Sequence, residues 1–205
     1  LSMLEEKNTY AFSAGDITVD EMYKLMTGSV VPRPIAWVST RSMEGVLNLA
    51  PFSFFTVASR NPATLLLSIG PGVGEREGTV KDTLVNIRET GEFVINVVPA
   101  VLAASMQRSS ADVASGEDEF ELAGVTPRAG IRVDVPSVLE SPIAFELTLD
   151  QVIAVGTDHL VLGKVEHIRV GAEAYAGHYK IAIESWQPLA SLAGDYALIK
   201  PAFSV

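Results

Sequence analysis

The chain has 205 residues, the size of one domain, and a domain of that size buries about 70% of its unfolded surface without a covalent staple. It contains no cysteine, which excludes disulfides, thiolate metal sites, a Cys nucleophile and Cys-ligated iron–sulfur clusters. Its formal charge of −10, from 25 acidic and 15 basic residues, argues against a nucleic-acid backbone as partner and leaves room only for a locally basic pocket.

The opening LSMLEEKNTY has no basic stretch followed by an apolar one, so it does not read as a leader. No apolar run approaches the roughly 20 residues of a membrane span. A soluble, cytoplasmic protein is expected. In chain order, residues 20–28 (DEMYKLMTG) predict a short helix closed by Gly28. The β-branched run 29–40 contains Pro32 and Pro34, which cannot donate to a ladder, so pairing should start near Ile35. After a turn at 41–45, residues 46–57 predict a second strand, edge-like or bulged at Pro51. Residues 64–69 (TLLLSI) read as a strand buried on both faces.

The glycine-rich loop 70–78 precedes a helix whose Val80, Leu84 and Ile87 share one face. Thr79 and Asp82 have capping-box spacing, and Gly91 stands where a terminating glycine belongs. A strand at 93–98, helical pieces at 99–110 and 117–123, and a strand at 131–135 follow. Residues 142–155 and 159–170 predict a long hairpin through Gly156, Thr157 and Asp158. The remainder reads as mostly irregular, with a strand at 179–183. Hairpins with a lone crossover helix fit a largely antiparallel barrel better than an alternating parallel sheet.

Two stretches carry chemistry. In 30–55 (VVPRPIAWVSTRSMEGVLNLAPFSFF), small polar groups cluster at Ser39 and Thr40 on one strand and at Asn48 and Ser53 on the next. Such a wall suits a planar heteroaromatic ligand, with hydroxyls for a polyol chain and Pro51 releasing neighbouring backbone groups from pairing. The same residues also suit a solvated edge hairpin, and the segment alone does not separate the two. At Thr79, Lys81, Asp82 and Thr83, a helix start offers free N–H groups, a partial positive charge, an ammonium and hydroxyls, a set that suits a phosphate. Asp82 would cap the turn, since two anions repel. For an isolated T-x-K-D-T, an ordinary capped surface helix is the simpler reading.

Other motifs fail. Gly72, Gly74 and Gly78 give G-x-G-x-x-x-G, one residue too long for a dinucleotide fingerprint, and the loop lacks the G-K-[ST] of a Walker A. His159 and His167 on one strand would stand about 26 Å apart, too far for a shared metal. Ser39, Ser53 and Ser68 lack a G-x-S-x-G context. No catalytic side chain and no metal ligand is assigned.

The segments GSVVPRPIAWVST (28–40), GVLNLAPFSFF (45–55), NPATLLLSI (61–69), VKDTLVNIRETGEFVINVV (80–98) and PLASLAGDYA (188–197) resemble, in order and spacing, the flavin reductase-like, FMN-binding split-barrel family that includes flavoredoxin-like proteins. The resemblance implies a mainly β fold: one domain over 1–205, its core at about 23–197, built as a six-stranded antiparallel Greek-key split β-barrel with flanking helices. It also implies noncovalent FMN binding at a homodimer interface. Carried over by position, Trp37, Ser39 and Thr40 would lie along the flavin and its ribityl chain. Asn48, Ala50, Pro51, Phe52, Ser53 and Phe54 would line the isoalloxazine edge, and Lys81, Asp82 and Thr83 the phosphate end. Arg33 would be a second phosphate or interface group, and Tyr196 would close the pocket, that of the partner subunit included. Relatives carry Arg where this chain has Ser191, which removes one cation from the pattern. The implied activity is an NAD(P)H-dependent flavin oxidoreductase, in which flavin does the chemistry and the protein supplies position and electrostatics. An FMN-binding electron carrier without its own NAD(P)H activity is the alternative, and a barrel that has lost flavin and serves as a scaffold is a third reading.

Overall fold

The computed structural model describes residues 9–110 and 116–200; the first eight residues, on which the leader reading mostly rests, lie outside them. Helix α1 (Val19–Ser29) starts at a reciprocal cap: the Thr18 hydroxyl accepts from the Glu21 N–H, and the Glu21 carboxylate accepts from the Thr18 N–H at 2.8 Å. It runs one residue past the predicted stop at Gly28, because the Val30 N–H still reaches the Met26 carbonyl. Val31, preceding Pro32, is disfavoured in helical geometry and the helix ends.

Seven strands form one antiparallel sheet. They are β1 (Ala36–Arg41), β2 (Leu47–Phe52), β3 (Phe55–Arg60), β4 (Ala63–Ile69), β5 (Glu92–Val97), β6 (Ile143–Val155) and β7 (Asp158–Val170). Their hydrogen-bonded order is β2-β1-β5-β6-β7-β4-β3. Only Ser53 and Phe54 separate β2 from β3, so the two ends of this row are one stretch of chain and the sheet closes on itself. The result is a six-stranded barrel whose sixth strand is split. The single strand predicted for 46–57 is therefore two, with β2 registered on β1 (Ala50 opposite Val38) and β3 on β4 (Thr56 opposite Leu66). The β4-to-β5 connection crosses the barrel end through helix α2 (Asp82–Thr90), which makes the Greek key.

Alternation along each strand sorts side chains between two cores. Ala36 and Val38 point into the barrel with Phe52, Leu67, Ile69, Phe93, Ile95, Leu147 and Val161, and Leu84 and Ile87 of α2 plug the end. Ile35 and Trp37 point outward into a second core with Leu49, Met106 and Phe120, under helices α3 (Ala103–Ser109) and α4 (Glu119–Ala123). Gly163 on β7 admits the Phe93 ring to the barrel interior, where any Cβ would collide with it.

The predicted strand at 131–135 does not form. The N–H groups of Ile131, Arg132 and Val133 turn instead onto the buried carboxylate of Glu146 in β6. The hairpin through Gly156 forms as predicted, with Gly156 at φ 58. The tail is more ordered than expected. Only Lys180–Ile181 of the predicted 179–183 strand is paired, Ile183 opens a short helix (Ile183–Trp186), and β8 (Leu189–Ser191) pairs with both β9 (Tyr196–Leu198) and Arg33–Pro34. Among the described residues, no helix is long and apolar enough to cross a membrane.

Candidate functional site

The open edge of β2 and the start of α2 face each other across one cleft of about 600 Å³, its open mouth included. Asn48, Ala50, Pro51 and Phe52 form one wall, and Lys81, Asp82 and Thr83 the other. Gly72, Val73 and Arg76 of the glycine-rich loop, Ser109 and Ser110 at the end of α3, and Glu119 of α4 complete it. β2 is hydrogen-bonded to β1 only, which leaves its outer edge for other partners. On that edge the Leu49 N–H is taken by Glu119 at 3.1 Å, and Pro51 has no N–H to offer.

A buried chain of polar side chains holds the two walls together. The Asn48 side-chain oxygen accepts from the Thr83 hydroxyl at 2.8 Å and from the Thr40 hydroxyl at 3.1 Å. The Asn48 amide nitrogen donates to Glu119 at 2.7 Å, and the Asn86 amide donates to Thr40 at 3.0 Å. Each of these five residues is almost fully buried, so each bond replaces one to water that folding removes.

Helix α2 begins at Lys81 without a side-chain cap. The predicted capping box is absent: Thr79 donates its hydroxyl to the Arg76 carbonyl, and Asp82 is gripped by the Arg76 guanidinium through two hydrogen bonds of 2.7 and 2.9 Å. That pair offsets the negative charge which would otherwise repel an anion here. The first backbone N–H to return to the helix is that of Leu84, on the Lys81 carbonyl, so those of Asp82 and Thr83 carry the unpaired positive end of the helix dipole. The Lys81 ammonium has no hydrogen-bond or ion-pair partner among the described residues. Glu119 lies at the inner end of the cleft. Burial pushes its carboxyl up to about 7, against the downward pull of hydrogen bonds from the Leu49 N–H, its own N–H and Asn48, with nearby Asp82 adding an upward push.

A flavin reductase-like domain matches residues 27–190. The chain belongs to the flavin reductase-like family. It is 36% identical to an uncharacterized protein of Aquifex aeolicus over 177 residues, 86% of this chain and 89% of that one. Its fold is similar to that of nitrilotriacetate monooxygenase component B from Bacillus cereus, with a TM-score of 0.92 and 32% identity over 97% of this chain and all of the other. It is also similar to 2-nitrobenzoate 2-nitroreductase from Pseudomonas fluorescens, with a TM-score of 0.84 and 28% identity over 96% of each chain.

Within this flavin reductase-like barrel, seven of the fourteen residues assigned from the sequence line the cleft: Asn48, Ala50, Pro51, Phe52, Lys81, Asp82 and Thr83. The other seven lie elsewhere. Trp37 is enclosed in the second core, its indole N–H on Ser109 at 2.9 Å. Ser39 is fully buried and donates to the Pro136 carbonyl at 2.6 Å. Thr40 is fully buried behind Asn48 and reaches the cleft only through it. Ser53, Phe54 and Arg33 line a separate apolar groove with Met26 and Val30. There the Arg33 guanidinium donates to the carbonyls of Thr27, Val30 and Leu192 and to the Ser53 hydroxyl, clamping the end of α1 to the tail. Four of its five N–H donors are taken up by the fold. Tyr196 stands on β9, its hydroxyl on Gln107 at 2.7 Å. Ser191 pairs with Arg33 in the tail ladder and does not line the cleft.

Sequence reasoning missed Arg76, Ser109, Ser110 and Glu119. Arg76 had a local signal, its six-residue spacing to Asp82 across a glycine-rich turn. Glu119 had none, since its partners Asn48 and Leu49 lie 71 and 70 residues away.

Proposed function

We propose that the protein is an FMN-binding flavoprotein acting as an NAD(P)H-dependent flavin oxidoreductase, and that it works as a homodimer. The observation that carries this reading is the convergence of an open strand edge and an uncapped, lysine-bearing helix start on a single cleft. The residues fit the cofactor. The N–H groups of Asp82 and Thr83 with the Lys81 ammonium would hold the phosphate. The backbone edge at Ala50, Pro51 and Phe52 offers a low-profile wall for the ring, and the exposed Ser110 offers a hydroxyl for the polyol chain.

Bound flavin would supply two-electron chemistry between a nicotinamide and an acceptor. The protein binds, orients and shields. Asn48 fixes Thr83 relative to the wall, Arg76 offsets Asp82, and the strand edge at Ala50 and Phe52 would keep water from one side of the ring. A monooxygenase component and a nitroreductase among similar folds are in keeping with a redox role. The exposed apolar groove beside Arg33, with Met26, Val30 and Phe54, supports a second copy as the cover of that face.

The test is the visible spectrum of the purified chain with added FMN, followed by stopped-flow mixing with NADH and NADPH. A flavin spectrum bleached rapidly by a reduced nicotinamide is expected. Bleaching by dithionite alone would make the protein an electron carrier, and a colourless chain indifferent to FMN would end the flavoprotein reading.

A further inference from the structure

Two carboxylates line the cleft. Asp82 is held by Arg76, whereas Glu119 has no cationic partner among the described residues. Both Glu119 oxygens accept from the protein, Oε1 from the Asn48 amide at 2.7 Å and Oε2 from the Leu49 N–H at 3.1 Å. Each oxygen keeps a lone pair, so a proton from solvent can add there and break neither bond. The carboxyl then becomes a donor facing the cleft instead of a charge opposing an anion in it.

We propose that Glu119 engages the anionic ligand of this cleft in its protonated form, so that the cleft takes up a proton as the anion binds. This rests on the reading of the cleft as an FMN phosphate site. The surroundings favour it. From α2 and the preceding loop, Lys81, Asp82 and Arg76 face the cleft, and the last two offset each other. Behind Glu119, a second cleft is lined by Glu44, Glu89 and Glu117, and none of the lining residues there is basic. β2 brings no charged side chain to it. On the helices packed around it, Arg108 is bound to the Leu122 and Ala123 carbonyls, Asp118 caps α4, and Glu121 is exposed. Burial already holds the Glu119 carboxyl at about 7, and an arriving phosphate adds like charge that raises it further.

Titration calorimetry of the full chain with FMN, in two buffers of different ionisation enthalpy, reads the proton directly. The window from about pH 7.5 to about 8.5 lies above the phosphate's second pKa of about 6, so the ligand's own titration is excluded. Buffer-dependent heats are expected there, with the dissociation constant rising toward the one-proton limit of about tenfold per pH unit. In Glu119→Gln the rise should vanish; if that variant fails to fold, the two-buffer measurement on the unmodified chain decides alone. Tight FMN binding that Lys81→Ala weakens, but with no proton uptake and a flat pH profile, overturns the inference and leaves the cleft reading standing. No FMN binding at any pH overturns the cleft reading and this inference with it.

Discussion

The Thr83 hydroxyl donates to the Asn48 side-chain oxygen at 2.8 Å, so the first turn of α2 is fastened to the strand wall it faces. The bond joins residues 35 positions apart and belongs to a polar chain running from Asn86 through Thr40 and Asn48 to Glu119. The width of the cleft is therefore set by directional bonds as well as by the apolar plug of Leu84 and Ile87 beneath.

Thr83→Val keeps the shape of the side chain and removes its hydroxyl. The Asn48 oxygen retains Thr40 as a donor, so the buried amide is not orphaned. A loss of about 1 kcal/mol in urea unfolding is expected, the net value of one such bond. FMN affinity should fall as well, because the helix start is no longer locked to the wall. Unchanged stability and affinity would remove this bond from the architecture of the site.

Lys81→Ala separates binding from folding. With no partner among the described residues, Lys81 contributes little to the fold, so unfolding should shift by less than about 0.5 kcal/mol. FMN binding should weaken by about 1–3 kcal/mol, the range of a charge-assisted hydrogen bond. An unaltered dissociation constant in fluorescence titration would remove the ammonium from the phosphate end.

Much of the barrel was legible because its signals are local: the turn glycine at 156, the left-handed glycine at 91, and the nearly all-apolar run of β4. The facing of β1 was not. Residues 36–40 are buried on both sides, between the barrel interior and the α3–α4 layer, so no polar alternation marks which face meets a ligand. The resemblance sets Trp37, Ser39 and Thr40 along the flavin and its ribityl chain, while their side chains in the structure make packing and buried polar contacts. The split after β2 was equally hidden, because Pro51 marks irregularity without saying that the chain changes partners two residues later.

Asp82→Asn tests the opposite sign from Lys81→Ala. Asp82 lines the cleft, and its pairing with Arg76 leaves both side chains about a quarter exposed, at 24% and 26%. A partly exposed pair of this kind contributes about 1 kcal/mol or less. Removing the negative charge should make FMN bind a few-fold more tightly, as measured by fluorescence titration at neutral pH. Weaker binding would mean that the bidentate grip organises the loop more than its charge opposes the phosphate.

Two buried glutamates predict opposite pH dependences of stability. At Glu146 burial pushes the carboxyl up, but the N–H groups of Arg132, Ile131 and Val133, with His167 nearby, outweigh it and hold it below its usual range. A lowered value in the folded state means stability that is present above the ordinary glutamate pKa of about 4.3 and lost as pH falls through the folded value. Glu119 is raised to about 7, mainly by burial, so its contribution is full below about 4.3 and lost as pH rises through about 7. Urea unfolding of Glu146→Gln should show a deficit of about 2–3 kcal/mol at neutral pH that narrows on acidification. Glu119→Gln should gain on the unmodified chain as pH rises from about 4 to about 8. Parallel stability curves for either variant and the unmodified chain would mean that the corresponding carboxyl titrates alike in the folded and unfolded states, and its hydrogen bonds would then have to be reassigned.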